Sequence, residues 1–179
     1  MTQGLKTILN FGAYIGLADF IVFLILYLSG FNPLGPASWL GAIFPVILMV
    51  YGAKVYRVYC MDGYMNYGKS FSTILSIGIA GAILFGIMVY MFGTIIDPSI
   101  VEMKINEAVE IFEKLRKMMG DDWYEKNLAL VANEIHDKMN MGSIVRDDVT
   151  SKFLGALLVA FVASFFVRKS KPFFDETIQ

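Results

Sequence analysis

Residues 71–96, FSTILSIGIAGAILFGIMVYMFGTII, form a run of 26 residues without a charged side chain. A helix that crosses the roughly 30 Å hydrocarbon core of a bilayer needs about 20 predominantly apolar residues. Three further segments approach or meet this requirement: residues 8–30, 37–56 and 149–167. The last of them carries Lys152 near its start, and it qualifies if that side chain extends its ammonium group to the interface. The sequence therefore predicts an all-α integral membrane protein with four transmembrane helices.

The composition agrees with this interpretation and sets one polar segment apart. The 179-residue chain is 56% hydrophobic and only 17% charged, whereas soluble domains carry roughly 25% charged residues. Twelve of the 16 acidic and eight of the 15 basic residues lie between Asp97 and Lys152. The net charge of −1 argues against a nucleic-acid partner, and a single cysteine, Cys60, excludes an internal disulfide. We predict a single membrane domain over residues 1–179, with the lipid bilayer as its surroundings.

An extramembrane amphipathic helical hairpin is predicted over residues 98–142, between the third and fourth membrane helices. Apolar residues repeat at spacings of three and four in two runs, residues 101–119 and 128–139, and Gly120 separates the runs. Each apolar stripe needs a covering surface. The other helix is the nearest one, and the membrane surface is the alternative.

Two local backbone features are expected from side-chain chemistry. Pro45 lies within the second apolar segment and should kink its helix, because proline removes one backbone hydrogen bond. Ser99 and Glu102 have the spacing of a capping box, in which the two side chains satisfy free backbone amides at a helix start.

The basic residues of the short connections predict the orientation of the chain. With a cytoplasmic N-terminus, residues 31–36 form an outside loop without a basic residue, and the inside segments carry seven: Lys6, Lys54, Arg57, Lys69, Arg168, Lys169 and Lys171. We therefore expect a multi-pass protein with both termini in the cytoplasm and the hairpin on the opposite side.

Small residues recur every four positions on three of the predicted membrane helices. Such stripes allow helix backbones to approach closely in lipid. The candidate packing residues are Gly12, Gly16, Gly78, Ala82, Gly86, Ala156 and Ala160. Packing within the chain is the favoured interpretation, and a homo-oligomer interface is the alternative.

Asp19 is the candidate for an intramembrane polar site. A carboxylate in the middle of a membrane helix costs roughly 2.5–3.5 kcal/mol on insertion scales, so it needs a partner or a function. Lys54 is the natural ionic candidate, although its place near the end of the second segment favours an interfacial position. The functional hypothesis is a proton-coupled or ion-coupled site, and the structural one is a polar contact that holds helices together.

No pattern in the sequence assembles a catalytic, cofactor or metal site. There is no GxSxG nucleophile motif and no P-loop, and the lone histidine, His136, has no zinc-site spacing around it. We therefore expect a protein that is not an enzyme and carries no cofactor or metal.

Several short motifs together resemble one family. They are Tyr14-x-Gly16-Leu17, the turn of residues 57–63, Tyr67-Gly68-x-Ser70-Phe71, Ile96-Asp97-Pro98 and the terminal Arg168-Lys169. The chain resembles the domain of unknown function 4199 family, small four-helix bacterial membrane proteins. The resemblance implies a bacterial inner (cytoplasmic) membrane and a periplasmic hairpin, and it supplies no catalytic residues.

The resemblance also implies a kind of partner, since such families are associated with membrane glycosyltransferases that act on polyprenyl phosphates. The leading hypothesis is a non-enzymatic accessory or assembly subunit that docks a membrane-protein partner. The alternative is a small transporter or flippase subunit that uses Asp19 in the membrane.

Overall fold

The computed structural model describes residues 2–171, without the side chains of residues 134–138, and its regular structure in that part is helical. The α-helices are α1 (Gln3–Leu28), α2 (Ile43–Cys60), α3 (Tyr67–Met91), α4 (Ser99–Met119), α5 (Asp121–Lys138) and α6 (Met141–Val167). A 3-10 helix, Pro36–Gly41, precedes α2, and a π-helical segment, Phe92–Ile96, continues α3.

Four helical segments are long and apolar enough to cross a membrane. They are Gln3–Leu28, Pro36–Cys60, Tyr67–Ile96 and Met141–Val167. The prediction of an all-helical chain with four candidate membrane spans is confirmed at this level. The hairpin of residues 98–142 and its place outside the bilayer remain predictions, although α4 and α5 occupy that part of the chain.

The chain divides into two compact units. Unit 1 comprises Met1–Asp19, Gly41–Phe85 and Thr150–Gln179, and unit 2 comprises Phe20–Leu40 and Gly86–Val149. Helices α1, α3 and α6 each contribute one part to each unit.

In unit 1, α3 lies against the other three helices at positions without large side chains. A Cβ atom added at Gly12 of α1 would lie 2.5 Å from the Cβ of Ala80 on α3. One added at Gly78 would lie 2.6 Å from the Cβ of Ala156 on α6 and 2.7 Å from the sulfur of Met49 on α2. Backbones can approach this closely only where glycine or alanine stands at the contact.

Unit 2 contains a cluster of aromatic rings. Phe92 lies at 5.3 Å from Phe23 and 5.1 Å from Tyr27, measured between ring centroids and in edge-to-face geometry. A Cβ atom added at Gly86 would lie 2.5 Å from the side chain of Val149, and one added at Gly93 would lie 2.5 Å from the side chain of Met141. Helix α6 therefore also approaches α3 and the π-helical segment closely in this unit.

The predicted kink at Pro45 is wrong, because the α-helix does not run through that position from Ala37. A 3-10 helix ends at Gly41 and α2 begins at Ile43. Pro45 therefore lies in the first turn of α2, where a backbone amide has no intrahelical acceptor and proline removes nothing.

The predicted capping box of Ser99 and Glu102 is also wrong. The residue before α4 is Pro98, which has no side-chain cap, and the Ser99 amide donates to Oδ1 of Asp97 at 2.9 Å. Asp97 can reach that amide because its own backbone is extended, with φ −146°.

The fourth membrane helix begins eight residues earlier than residue 149, at Met141. Asn140 and Ser143 define this start: the Ser143 amide donates to Oδ1 of Asn140 at 3.0 Å, and the Asn140 amide donates to Oγ of Ser143 at 3.1 Å. Capping chemistry set the beginning of α6, whereas hydropathy located only its apolar part.

Substitution of two helical glycines tests the close packing of unit 1. Gly12→Ala should lower the free energy of unfolding by about 1–3 kcal/mol, since the new methyl group overlaps Ala80. Gly155→Ala is the matched control, because nothing lies within 4 Å of an added Cβ there. Unfolding in a mild detergent measures both variants, and equal stabilities would contradict this packing.

Candidate functional site

The strongest polar site in the apolar part of the chain is an ion pair between α1 and α6 in unit 1. The ammonium nitrogen of Lys152 lies 3.0 Å from Oδ2 of Asp19. The Asp19 side chain is 7% exposed and that of Lys152 is 29% exposed. The pair is therefore largely enclosed by protein.

An aromatic ring of α3 completes the surroundings of this pair. The Lys152 ammonium lies 4.3 Å from the centroid of the Phe85 ring, a cation–π contact, and Phe85 is itself buried. The cation thus has a carboxylate and the face of a ring as neighbours.

The helix positions place the pair well away from the helix ends. Asp19 precedes Leu28, the last residue of α1, by nine residues, or about 14 Å at 1.5 Å per residue. Lys152 follows Met141, the first residue of α6, by 11 residues, or about 16 Å. Both charges therefore lie at least two helical turns from these helix ends.

The sequence analysis named Asp19 as a candidate polar site with Lys54 as its ionic candidate, and in the structure the Asp19 carboxylate contacts Lys152. Lys54 lies exposed on α2. Instead of extending to the interface, Lys152 turns to Asp19. Counting from Asn140 as the cap of α6 would have shown that Lys152 lies deep in that helix.

The seven candidate packing residues occupy the helix contacts of the two units. In unit 1, Gly12 and Gly16 approach α3, and Gly78 approaches Ala156. Ala82, Ala156 and Ala160 are buried. In unit 2, Gly86 approaches Val149 and Val145 of α6. Contacts within the chain account for these positions.

A second polar cluster, in unit 2, joins the start of α4 to the segment that follows α1. Nδ2 of Asn32 donates to Oε2 of Glu107 at 2.7 Å. The Lys104 ammonium donates to the same carboxylate at 2.8 Å and to the Leu34 carbonyl at 2.9 Å. These bonds hold α4 against residues 32–34 with every named charge paired.

Asp97 has two donors in the same unit. The Tyr27 hydroxyl donates to Oδ2, and the Ser99 amide donates to Oδ1. Both bonds favour the ionised carboxyl, so they lower the pKa of Asp97 below its ordinary value, with the Tyr27 hydroxyl as the main cause. The carboxylate fixes the turn between α3 and α4.

No metal-binding group of three or more His, Cys, Asp or Glu residues exists among the residues that the structure describes. The side chain of His136, which the sequence analysis weighed as a zinc ligand, lies outside them. The Asp19–Lys152 pair itself joins α1 to α6, which is a contact of the kind that polar side chains make between helices in lipid.

The comparison with protein families decides the classification. The model of the family described as protein of unknown function (DUF4199) matches residues 10–169. The chain belongs to this family. Comparison with curated proteins and with solved structures gave no match. The resemblance carried by the short glycine and aromatic motifs is thus confirmed, and the matched residues include the Asp19–Lys152 pair.

Removal of one charge tests whether this pair stabilises the DUF4199 chain. Lys152→Met should lower the free energy of unfolding by about 3–5 kcal/mol, because it leaves the Asp19 carboxylate enclosed without a partner. The double variant with Asp19→Asn should regain most of the loss, since neither charge remains. Unfolding of the purified proteins in one detergent provides the measurement.

Lys54→Met is the control for the loss of one membrane-helix lysine. Lys54 is exposed, so we expect a change within about 0.5 kcal/mol. If Lys54→Met destabilised the protein as much as Lys152→Met, the ion pair would not be the cause.

Proposed function

We propose that this protein is a non-enzymatic accessory or assembly subunit of the bacterial inner membrane. In this proposal α4 and α5 form a hairpin on the periplasmic side, both termini are cytoplasmic, and the hairpin docks a membrane-protein partner. The observation that carries the proposal is the uncovered apolar surface of α5.

Helices α4 and α5 contact each other close to the turn at Gly120. The Phe112 ring lies 5.6 Å from the Trp123 ring and 4.7 Å from the Tyr124 ring, measured between centroids. The Tyr124 hydroxyl donates to Oε1 of Glu113 at 3.0 Å, which raises the pKa of that phenol. The buried Phe112 is thus covered by the first turn of α5.

Further along α5 the apolar side chains lose this cover. Leu128, which belongs to the apolar stripe expected from the sequence, is 44% exposed. Leu130 is 68% exposed and lies about 200° around the helix axis from Leu128, on a different face. Exposed leucines on a transmembrane helix contact lipid, but α5 is not among the four apolar spans. Apolar side chains uncovered outside a bilayer favour an interaction surface.

The charge of α5 favours a protein partner over the membrane surface. Its first turn carries Asp121 and Asp122, and Glu125 follows. Surface-bound amphipathic helices are typically rich in lysine and arginine, which anionic headgroups attract. An acidic start of the helix disfavours that position, so a membrane protein is the better candidate for covering Leu128 and Leu130.

The family resemblance suggests a polyprenyl-phosphate glycosyltransferase as this partner. A second copy of the chain is the alternative. The small-residue stripes support the hetero-partner, because contacts within the chain already occupy them.

Affinity purification from the native membrane tests the docking surface. A tagged full-length chain in mild detergent should recover one membrane-protein partner, and Leu128→Ser with Leu130→Ser should reduce that recovery at least tenfold. Glu110→Ala with Lys114→Ala is the matched control, since it removes an exposed ion pair from α4 at no change in net charge. Recovery of the chain alone, or equal loss in both double variants, would contradict docking through α5.

Cysteine labelling tests the proposed orientation. Cys60 is the single cysteine, so Cys60→Ser gives a background into which Lys117→Cys or Lys54→Cys can be placed. A membrane-impermeant maleimide should label Lys117→Cys in intact spheroplasts and Lys54→Cys only after permeabilisation. The reverse pattern would place α4 in the cytoplasm and overturn the periplasmic hairpin.

A second candidate function is a small transporter or flippase subunit, and the Asp19–Lys152 pair supports it. Paired charges within membrane spans are common on ion and proton pathways. The neutral variant Asp19→Asn with Lys152→Met separates the two proposals. An accessory subunit should still recover its partner, whereas a transporter should lose ion-dependent flux while the chain stays folded.

A further inference from the structure

Four cations of unit 1 lie where the ends of three helices converge: Arg57, Lys69, Arg168 and Lys169, which we name the basic face. Nη1 of Arg57, in the last turn of α2, donates to the carbonyl of Val167, the last residue of α6. Lys169 exchanges two backbone hydrogen bonds with Met65, both 2.8 Å long. The end of α2, the turn before α3 and the end of α6 therefore form one surface.

A side-chain bond brings the start of α3 to the same place. The Tyr67 hydroxyl donates to the Phe161 carbonyl of α6 at 3.0 Å, and the Tyr67 and Phe165 rings lie 4.7 Å apart. Lys69 follows Tyr67 by two residues, in the first turn of α3. Its ammonium lies 5.4 Å from the centroid of the Tyr56 ring, next to Arg57 on α2.

The basic face has no carboxylate partner among the described residues. Its four cations take part in no ion pair there, whereas Lys104, Lys114 and Arg116 of α4 are each paired with an acidic side chain. In the described part of unit 1 the acidic residues are Asp19 and Asp62, and Asp19 binds Lys152. Within the described residues, the positive charge of this surface is therefore not neutralised by an ion pair.

Contacts within the chain position the cations of the basic face, but not every N–H donor of these cations has an acceptor. Nε of Arg57 is buried and has no hydrogen-bond partner, although Nη1 is engaged. The Lys169 ammonium lies 5.4 Å from the centroid of the Tyr64 ring, and the Lys169 side chain is exposed. A guanidinium and ammonium groups with open donors match the several acceptor oxygens of a phosphate group.

The place of these residues on the helices indicates the source of the phosphate. They lie at the end of α2, the start of α3 and the end of α6, and each of these helices belongs to a candidate membrane span. The ends of membrane helices lie at the level of the lipid headgroups, and basic pockets there bind anionic headgroups.

We propose that the basic face of Arg57, Lys69, Arg168 and Lys169 is a binding site for the phosphate headgroup of an anionic phospholipid. Arg57 supplies a guanidinium group, and the three flanking cations neutralise the headgroup. This site lies in unit 1 and is independent of the partner docking proposed for α5.

Lipid titration of the full-length protein tests the proposal. Native mass spectrometry would count short-chain phosphatidylglycerol or phosphatidylcholine bound to the protein in a neutral detergent. The wild-type chain should prefer phosphatidylglycerol. A triple variant should lower the affinity for phosphatidylglycerol on the order of 100-fold, since each cation at the level of the headgroups contributes about fivefold to the affinity. This variant combines Lys69→Gln, Arg168→Gln and Lys169→Gln. All three side chains are exposed, so the variant should still fold.

Two further variants separate a site from a general charge effect. Lys114→Gln, Arg116→Gln and Lys117→Gln remove the same number of cations from α4 and should leave phosphatidylglycerol affinity within about twofold of wild type. Arg57→Lys keeps the charge but removes the planar guanidinium group, so it should weaken binding severalfold. The thermal unfolding of each variant shows whether it is folded.

Three results would overturn the proposal. Equal weakening in the two triple variants would show that net charge alone attracts the lipid. Equal affinity for phosphatidylcholine would show that the negative headgroup is not recognised. Displacement of phosphatidylglycerol by excess inorganic phosphate would assign the face to a soluble phosphate ligand.

Discussion

The close approach of α3 to its neighbours is the constraint on which unit 1 depends. Lipid tails are as apolar as leucine, so no hydrophobic force drives two membrane helices together. Their association depends on van der Waals contact, and large side chains at the contact would keep the backbones apart. Gly12 against Ala80 and Gly78 against Ala156 meet this condition, because an added Cβ at either glycine would overlap its neighbour.

This packing explains why one strong polar contact fits among apolar helices. Once α1 and α6 both lie near α3, the Asp19 carboxylate and the Lys152 ammonium come within 3.0 Å, and Phe85 lies beneath the cation. An enclosed charge without a partner is costly, and the pair offsets part of that cost for both residues. The ion pair thereby selects the relative register of α1 and α6.

The cations of the chain have different partners in different parts of the structure. In α4 three of the four cations have an acidic partner, and Asp97 accepts bonds from Tyr27 and Ser99. At the ends of α2 and α6, by contrast, the cations contact aromatic rings and carbonyl groups. Charged side chains that are paired within the chain do not need an external partner. Cations without a carboxylate partner and exposed leucines favour binding of an external ligand. The two proposals for this DUF4199 member, a lipid headgroup at the basic face and a protein at α5, follow from that difference.

The sequence by itself determined the helical class, the four candidate spans and the family, because long apolar runs and short motifs are local properties. It also singled out Asp19, since one acid in an apolar run stands out without any neighbour. Only the tertiary structure decided that Lys152 and not Lys54 is its partner, because the pairing depends on where α6 begins and on which helices α3 brings together. Hydropathy likewise does not show that α2 begins after Gly41, at Ile43. This start places Pro45 in the first turn of α2, where proline removes no intrahelical hydrogen bond. Pair contacts between distant residues depend on register and packing, and those are properties of the folded chain.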